Sequence, residues 1–324
     1  MWRNIMTKPN IWLRILFYGS ALVFISYKTA LAWYQGDYNG FDVSNSLVAV
    51  DQIQQGGPPK DGIPAIDQPA FYLENETRGQ AAERVLGVTF NGVSKAYPVA
   101  IMNWHEIVND DFNGKSVIIT YCPLCGTGMA FESESADGFG VSGLLYNSDM
   151  LLYDRQSESL WSQIMEKAIS GPRKGERLHT VPVQMTNWQE WKMQYPDSKL
   201  LSRDTGFSRN YDETPYLGYE KSSLLYFQVS HSDDRYHKKE NVIGLSVEGQ
   251  SKVWPLSELN KGAVPLRDSI GNTDIIVHYK SETDHAWITD SKGELLPAVR
   301  GYWFAWIAFH PDSEVFAAKK NYLE

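Results

Sequence analysis

The sequence predicts a β-rich α+β fold in which one antiparallel β unit with short helices occurs twice, preceded by an N-terminal hydrophobic helix. Three observations support this: an apolar run at the N-terminus, alternating apolar residues around glycine-containing turns, and sequence blocks that recur in the same order. Alternation of apolar and polar residues is typical of half-buried strands. The 324 residues are 43% hydrophobic and 13% aromatic, which supplies a sizeable core and excludes an intrinsically disordered chain.

Residues 1–34 are predicted to be a signal peptide or an N-terminal membrane anchor. Basic residues precede the uncharged run from Ile15 to Tyr27, which is shorter than the roughly 20 residues that span a bilayer. The run reaches that length if Lys28 snorkels and the helix continues to residue 34. Residues 30–32 also have the small-x-small pattern that signal peptidases cut, but a lysine just before the cut is atypical, so we favour the anchor. Both interpretations predict an extracytoplasmic chain on the periplasmic side, anchored to the inner membrane or secreted after cleavage.

Residues 35–80 are predicted to form an extended strap. The segment GGPPKDGIPAIDQPAF is dense in glycine and proline. Because proline fixes the backbone and removes a donor, neither a helix nor a central strand is expected here. The apolar residues of the segment indicate that it lies across the surface of the domain and is not a free linker.

Two related copies of one unit are predicted beyond the strap. The recurring blocks are, in chain order, 85–98 with 242–255, 114–121 with 272–279, and 175–201 with 293–316. The first pair reads VLGVTFNGVSKAYP and VIGLSVEGQSKVWP, and its alternating apolar residues around an Asn-Gly or Glu-Gly pair indicate a tight hairpin. We therefore predict copy one at 81–238 and a shortened copy two at 239–324, each covering the apolar face of the other.

Both cysteines belong to copy one, in the turn Cys122-Pro-Leu-Cys125-Gly that follows a predicted strand. The corresponding positions of copy two hold Lys280 and Thr283, so the thiols are not needed to build the unit. Two cysteines exclude a disulfide-stapled mini-fold, a four-thiolate zinc site and an all-cysteine iron–sulfur cluster. Their spacing is typical of a metal-binding knuckle, and it also occurs in thiol–disulfide redox pairs.

The residues around the turn favour a single metal site. Glycines follow the second cysteine, whereas a redox pair of the thioredoxin kind lies at the start of a helix. Two thiolates do not complete a tetrahedral shell, and the candidates for further ligands are His105, Met129 and the copy-two histidines. A mixed Cys/His/Met set suits copper, with zinc as the alternative, so we predict metal handling or electron transfer at Cys122 and Cys125.

Two further functions fit the same residues. A thiol–disulfide oxidoreductase would use Cys122 as nucleophile and Cys125 as resolving thiol. A non-enzymatic binding module would hold the pair as a structural disulfide and recognise a protein or small-molecule partner. The 30 basic and 39 acidic side chains give a net charge of −9, which argues against nucleic-acid binding. The partner that the sequence itself predicts is the membrane, through the N-terminal segment.

Long segments also carry a resemblance to a known family. They are GGPPKDGIPAID, HEIVND, TYCPLCGTGMAFE, VSGLLYNSDMLLYDRQSESLWSQ and WFAWIAFHPDSEVF. Together they resemble the bacterial and archaeal domain-of-unknown-function family 3179, over about residues 45–316. The resemblance implies an exported or membrane-anchored protein, and it implies no established activity.

Overall fold

Strands dominate the regular structure of the chain. The computed structural model describes residues 38–73, 81–135 and 137–318, and in these ranges it has twenty strands and four short α-helices. The strands are β1 (Ile53–Gln55), β2 (Arg84–Phe90), β3 (Val93–Pro98), β4 (Ile107–Asp111), β5 (Ser116–Cys122), β6 (Thr127–Glu132), β7 (Phe139–Tyr146), β8 (Asp149–Asp154), β9 (Leu160–Ser162), β10 (Lys167–Ser170), β11 (His179–Val181), β12 (Val183–Asn187), β13 (Lys199–Leu200), β14 (Asn241–Val247), β15 (Gln250–Pro255), β16 (Leu266–Ile270), β17 (Thr273–Lys280), β18 (His285–Asp290), β19 (Val299–Tyr302) and β20 (Glu314–Val315). The helices are α1 (Val99–His105), α2 (Trp188–Gln194), α3 (Leu256–Leu259) and α4 (Trp303–Phe309).

The strands form five separate sheets in a propeller-like arrangement. The strand orders are β1-β7-β8-β9-β10, β11-β6-β5-β4, β12-β2-β3-β13, β19-β14-β15-β20 and β16-β17-β18. Neighbours that follow one another in sequence pair antiparallel, as tight hairpin turns require. Hairpins of consecutive strands therefore supply at least half of the strands in every sheet.

The predicted fold class, one α+β unit occurring twice, is wrong. Five sheets of three to five strands stand in its place, and the helices are short segments of four to seven residues between strands. Alternating apolar residues identify strands but do not determine which strands pair, so the recurring blocks indicated too simple an architecture. The predicted N-terminal helix lies outside the described residues. Within the described ranges, no helix is long and apolar enough to cross a bilayer.

Two of the five sheets contain the first and third pairs of recurring blocks. Sheets β12-β2-β3-β13 and β19-β14-β15-β20 have equivalent strand orders, with a central antiparallel hairpin, a second antiparallel neighbour and a short parallel strand. A Cβ at Gly87 on β2 would collide with the ring of Trp191, and a Cβ at Gly244 on β14 would collide with the ring of Trp306. The recurring glycine and tryptophan are therefore one packing feature, used once in each sheet. The boundaries at 81–238 and 239–324 stay a prediction.

One apolar cluster surrounds the cysteine turn. It contains Cys122, Cys125 and Met129 together with large side chains from other sheets, among them Phe139, Leu152, Trp161, Tyr302 and Phe304. The turn between β5 and β6 therefore lies where three sheets meet: its own, the sheet of β7 and β8, and the sheet of β19. Side chains from distant parts of the sequence reach the two sulfurs at this junction.

Candidate metal centre

The cysteine turn connects two paired strands. Cys122 at the end of β5 pairs with Thr127 at the start of β6, so residues 123–126 form the turn between them. Gly126 has a φ of +62°, and a Cβ there would lie 2.9 Å from the ring of Tyr302. Glycine is thus required by both the backbone and the packing. The N–H of Tyr302 donates to the carbonyl of Cys125 at 2.8 Å, which anchors the turn to the neighbouring sheet.

A second hairpin, between β7 and β8, supplies a carboxylate. Its turn residues Asn147 and Ser148 both have positive φ, at 54° and 63°, as a two-residue type I′ turn requires. A non-glycine residue in this region costs roughly 1–2 kcal/mol, and the surroundings hold it there. Ser148 Oγ donates to the carbonyl of Phe227 at 2.9 Å, and Asn147 Nδ2 donates to the carbonyl of Ala308 at 3.1 Å. The turn places Asp149 at a fixed position.

The two hairpins bring Cys122, Cys125 and Asp149 together. Both sulfurs and one carboxylate oxygen lie within 4.8 Å of one another, and all three residues are at most 1% exposed. The thiols also face the carbonyl oxygen of Ser148, which is 3.7 Å from Cys122 Sγ and 3.3 Å from Cys125 Sγ. Two sulfurs and a carboxylate oxygen at this separation could hold one metal ion.

The carboxylate of Asp149 has one oxygen with a hydrogen-bond donor and one without. Oδ2 accepts from the N–H of Ile164 at 3.0 Å, whereas Oδ1 has no hydrogen-bond partner among the described residues. A buried polar atom without a partner costs free energy, and a buried carboxylate costs more unless a cation compensates it. Oδ1 is therefore available to a metal ion.

Burial raises the pKa of each acidic group in the cluster. It raises the pKa values of Cys122 and Cys125, and the nearby charge of Asp149 adds to the increase at both thiols. It raises the pKa of Asp149 to about 7, although the N–H of Ile164, which donates to Oδ2, offsets part of that increase. Without a cation, the cluster therefore favours its protonated forms. A divalent cation reverses this preference because it binds the deprotonated ligands.

Glu106 is a further buried carboxyl group beside this cluster. It directly follows α1 with a φ of 59°, and its carbonyl accepts from the N–H of Tyr121 at 2.8 Å. Burial raises its pKa to about 8, and the charge of Asp149 contributes to the increase. The hydroxyl of Tyr216 donates to Glu106 Oε1 at 3.3 Å. Glu106 thus adds to the acidic character of the site without belonging to the group of three ligands.

Of the other two predicted ligands, His105 lies in different surroundings, whereas Met129 shares the apolar cluster of the cysteines. His105 uses both ring nitrogens in hydrogen bonds, Nε2 with the hydroxyl of Tyr211 at 2.7 Å and Nδ1 with the carbonyl of Pro64 at 2.8 Å. Met129 lies in the apolar cluster with the cysteines and pairs with Thr120 across the sheet. The three-residue group of His, Cys, Asp and Glu ligands found in the described part of the chain does not include His105.

The copy-two histidines do not join the group either. Each makes a hydrogen bond to a side chain of its own surroundings: His278 to Thr289 at 3.2 Å, His285 to Gln184 at 2.9 Å, and His310 to Ser251 at 3.2 Å. Of the three candidate ligands, the sequence indicated Cys122 and Cys125 but not Asp149. The available signal was the Asn147-Ser148 pair between two apolar strands, which indicates a hairpin turn immediately before an acidic residue.

Comparison with known proteins gives one result. A family model described as a protein of unknown function (DUF3179) matches residues 60–313, which is most of the chain. No curated protein and no solved structure matches the chain. The two hairpins of the metal centre and its three candidate ligands all lie inside the matched region.

Proposed function

Because the chain belongs to the DUF3179 family, whose description assigns no activity, we propose its function from the site: it is a metal-binding protein with one Zn²⁺ centre at Cys122, Cys125 and Asp149. The observation that carries the proposal is the convergence of two thiols and a carboxylate in the protein interior, with one oxygen of Asp149 unpartnered within the described ranges. A purely apolar core gains nothing from three such groups, because burial raises the pKa of all three and the charge of Asp149 raises the pKa of both thiols further.

The donor atoms favour zinc over copper. Thiolate sulfur suits both Zn²⁺ and Cu⁺, whereas a carboxylate oxygen is a harder ligand that suits the divalent ion. Copper was the sequence-based preference because of an imidazole and a thioether, but both ring nitrogens of His105 are already hydrogen-bonded to other groups. With a carboxylate as the third donor, the chemistry of the set fits zinc better.

The burial of the site supports a role in holding the metal. Catalytic zinc sites keep an open coordination position in contact with substrate, whereas structural and storage sites are closed. The ligands here are at most 1% exposed, so a large substrate would need the site to open. We therefore propose metal handling, or stabilisation of the junction between the sheets, and electron transfer only if the ion is copper. An extracytoplasmic, membrane-anchored setting remains part of the proposal, and it rests on the basic and apolar N-terminal segment.

A thiol–disulfide enzyme is less consistent with this geometry. Exchange proceeds by attack of an accessible thiolate, but Cys122 and Cys125 are buried and burial raises both pKa values. The structure has no disulfide bond between Cys122 and Cys125, so it gives a structural disulfide no direct support. These observations leave the metal centre as the function that the site supports best.

Replacing Asp149 by asparagine tests this function against a matched control. We expect Asp149→Asn to lower the affinity for Zn²⁺ by roughly 10- to 100-fold or more, because a neutral amide replaces the anionic ligand. The control is Asp154→Asn on the same strand, since Asp154 is also buried but accepts from Trp161 Nε1 at 2.9 Å and from Ser157 Oγ at 2.7 Å.

The affinities are measured by titration of Zn²⁺ against a chromophoric chelator. Asp154→Asn is expected to lose stability while keeping the wild-type affinity. Equal Zn²⁺ affinity in the two variants would contradict the assignment of Asp149 as a ligand.

A further inference from the structure

The group at Cys122, Cys125 and Asp149 offers three donors, one fewer than tetrahedral Zn²⁺ requires. We propose that the phenol oxygen of Tyr219 is the fourth ligand, so that the centre is a closed set of two sulfurs and two oxygens. This inference rests on the proposed function, and it identifies the residue that completes the site and favours a divalent ion.

The hydroxyl of Tyr219 is buried and has no hydrogen-bond partner within the described ranges. The residue is 2% exposed and belongs to the apolar cluster that contains Cys122 and Cys125. A buried tyrosine normally finds a partner for its hydroxyl, as Tyr216 does with Glu106 at 3.3 Å. Tyr219 and Asp149 therefore each present one unsatisfied oxygen in the neighbourhood of the two thiols.

Tyr219 shares its apolar cluster with both cysteines and has a cation against its ring. Burial raises the pKa of its phenol, and the charges of Cys125 and Cys122 add to the increase. The ammonium group of Lys239 lies 3.8 Å from the centroid of the Tyr219 ring. A cation over the ring stabilises a phenolate, and a bound metal ion removes the repulsion from the thiolates.

The backbone around Tyr219 holds the ring in place. Tyr219 begins a short 3₁₀ turn after Gly218, whose φ of +77° reverses the chain. The Tyr219 N–H donates to the carbonyl of Tyr216 at 3.0 Å. Lys239 fixes the same segment from the other end, because its ammonium group donates to the carbonyls of Ser222 and Leu224 at 2.8 Å each. The ring is thus positioned before any ion binds.

The segment between β13 and β14 acquires a role from this assignment. It already braces the hairpin of Asp149, since Phe227 accepts from Ser148 and the N–H of Ser230 donates to Asn147 Oδ1 at 2.7 Å. With Tyr219 as a ligand, the same segment also closes the metal centre. The ion would then connect three parts of the chain: the cysteine turn, the β7–β8 hairpin and this long connection.

Binding changes no oxidation state. A metal–oxygen bond forms at Tyr219 Oη, the O–H bond breaks, and the proton leaves to solvent, as the thiol protons of Cys122 and Cys125 do. Two oxygen donors beside two sulfurs shift the preference further from Cu⁺ to Zn²⁺ or Co²⁺.

Tyr219→Phe in the full chain tests the assignment, with Tyr226→Phe as the control. Tyr226 packs against the Tyr219 ring at a centroid distance of 4.5 Å but is 59% exposed, so its substitution removes a nearby phenol without touching the ligands. Metal-free proteins are titrated with Zn²⁺ and with Co²⁺, and three signals are recorded: tyrosinate difference absorption, Co²⁺ ligand-field absorption and affinity.

We expect wild type and Tyr226→Phe to show tyrosinate absorption that saturates with one ion. Tyr219→Phe should lack it, bind roughly 10- to 100-fold more weakly, and give a changed Co²⁺ spectrum. If metal-free Tyr219→Phe melts at the same temperature as metal-free wild type, its fold is intact. If Tyr219→Phe does not fold, the tyrosinate absorption of wild type and Tyr226→Phe decides the test. Binding by wild type without tyrosinate absorption would overturn the assignment of Tyr219 and leave the three-ligand centre standing. A wild-type chain that binds neither ion would overturn the proposed function itself.

Discussion

Cys122→Ser is expected to lower the affinity for Zn²⁺ by more than roughly 100-fold. Loss of a group that only supports a metal ligand already costs about 10- to 100-fold in affinity, and Cys122 is itself a proposed ligand. The substitution removes one of two thiolates, and the remaining donors are Cys125 and Asp149 with the proposed phenol of Tyr219. A serine hydroxyl stays protonated near neutral pH and is a poor ligand for zinc. Competition titration with a chelator of known affinity measures the loss.

The same variant should lose the stabilisation that zinc provides. At a free Zn²⁺ concentration 1,000 times the dissociation constant, an ion that binds only the folded chain adds about 4 kcal/mol to the free energy of unfolding. Wild type should therefore melt at a higher temperature with Zn²⁺ than with a chelator, while Cys122→Ser should melt at the same temperature in both.

Leu124→Ala is the matched control for Cys122→Ser. Leu124 lies in the same turn and is buried at 7% exposure, but it has no ligand atom. Its truncation should cost about 2–5 kcal/mol of stability and leave zinc affinity near that of wild type. Wild-type zinc affinity in Cys122→Ser would contradict the metal centre, and so would an equal loss in Leu124→Ala.

The metal-free protein is expected to lose stability as pH rises from about 4 to about 8. Burial raises the pKa of Asp149 from 3.8 to about 7 and the pKa of Glu106 from 4.5 to about 8. Over this interval the folded chain holds protons that the unfolded chain has released, so the free energy of unfolding falls with increasing pH. The stability that these groups contribute is complete below their unfolded pKa values and is lost as pH passes the folded ones.

The expected size of this loss is on the order of several kcal/mol, because each unit of pKa shift corresponds to about 1.4 kcal/mol. Urea denaturation of chelator-treated protein at pH 5 and pH 8 measures it. Asp149→Asn should reduce the dependence, since the amide does not titrate, and leave the part that Glu106 contributes. Zinc affinity should change in the opposite direction and increase with pH, because the ligands bind deprotonated. If the free energy of unfolding of the metal-free protein is the same at pH 5 and pH 8, the claim that Asp149 and Glu106 are buried with no cation to compensate their charge is contradicted.

The sequence predicts local features of this fold well and long-range ones poorly. The alternating block at 85–98 contains β2 and β3, and its Asn-Gly pair is their turn. Hairpin formation depends on neighbouring residues, so local patterns suffice to predict it. Which hairpins share a sheet depends on packing between residues far apart in sequence, and this is why five sheets were not predicted from the two recurring copies.

The residues of the candidate site also differ in how well the sequence predicts them. Cys122 and Cys125 are close in sequence and form one turn, so their spacing was enough to identify them. Asp149 lies beside the sulfurs because two hairpins that are separate in sequence pack together, and the proposed ligand Tyr219 belongs to the connection between β13 and β14. The Asn147-Ser148 pair indicates a hairpin turn before Asp149 but does not indicate which residues that turn packs against. His105 was selected because histidine is a common ligand, yet its nitrogens bond to Pro64 and Tyr211, contacts that only the folded chain brings together.

The zinc content of the purified full chain tests the central claim most directly. The protein is prepared without a metal-affinity tag, supplied with Zn²⁺, freed of loosely bound ions, and analysed by native mass spectrometry and elemental analysis alongside Cys122→Ser. The metal centre predicts one zinc ion per wild-type chain and none retained by the variant. A wild-type chain that retains no zinc, or a Cys122→Ser chain that retains as much as wild type, would contradict it.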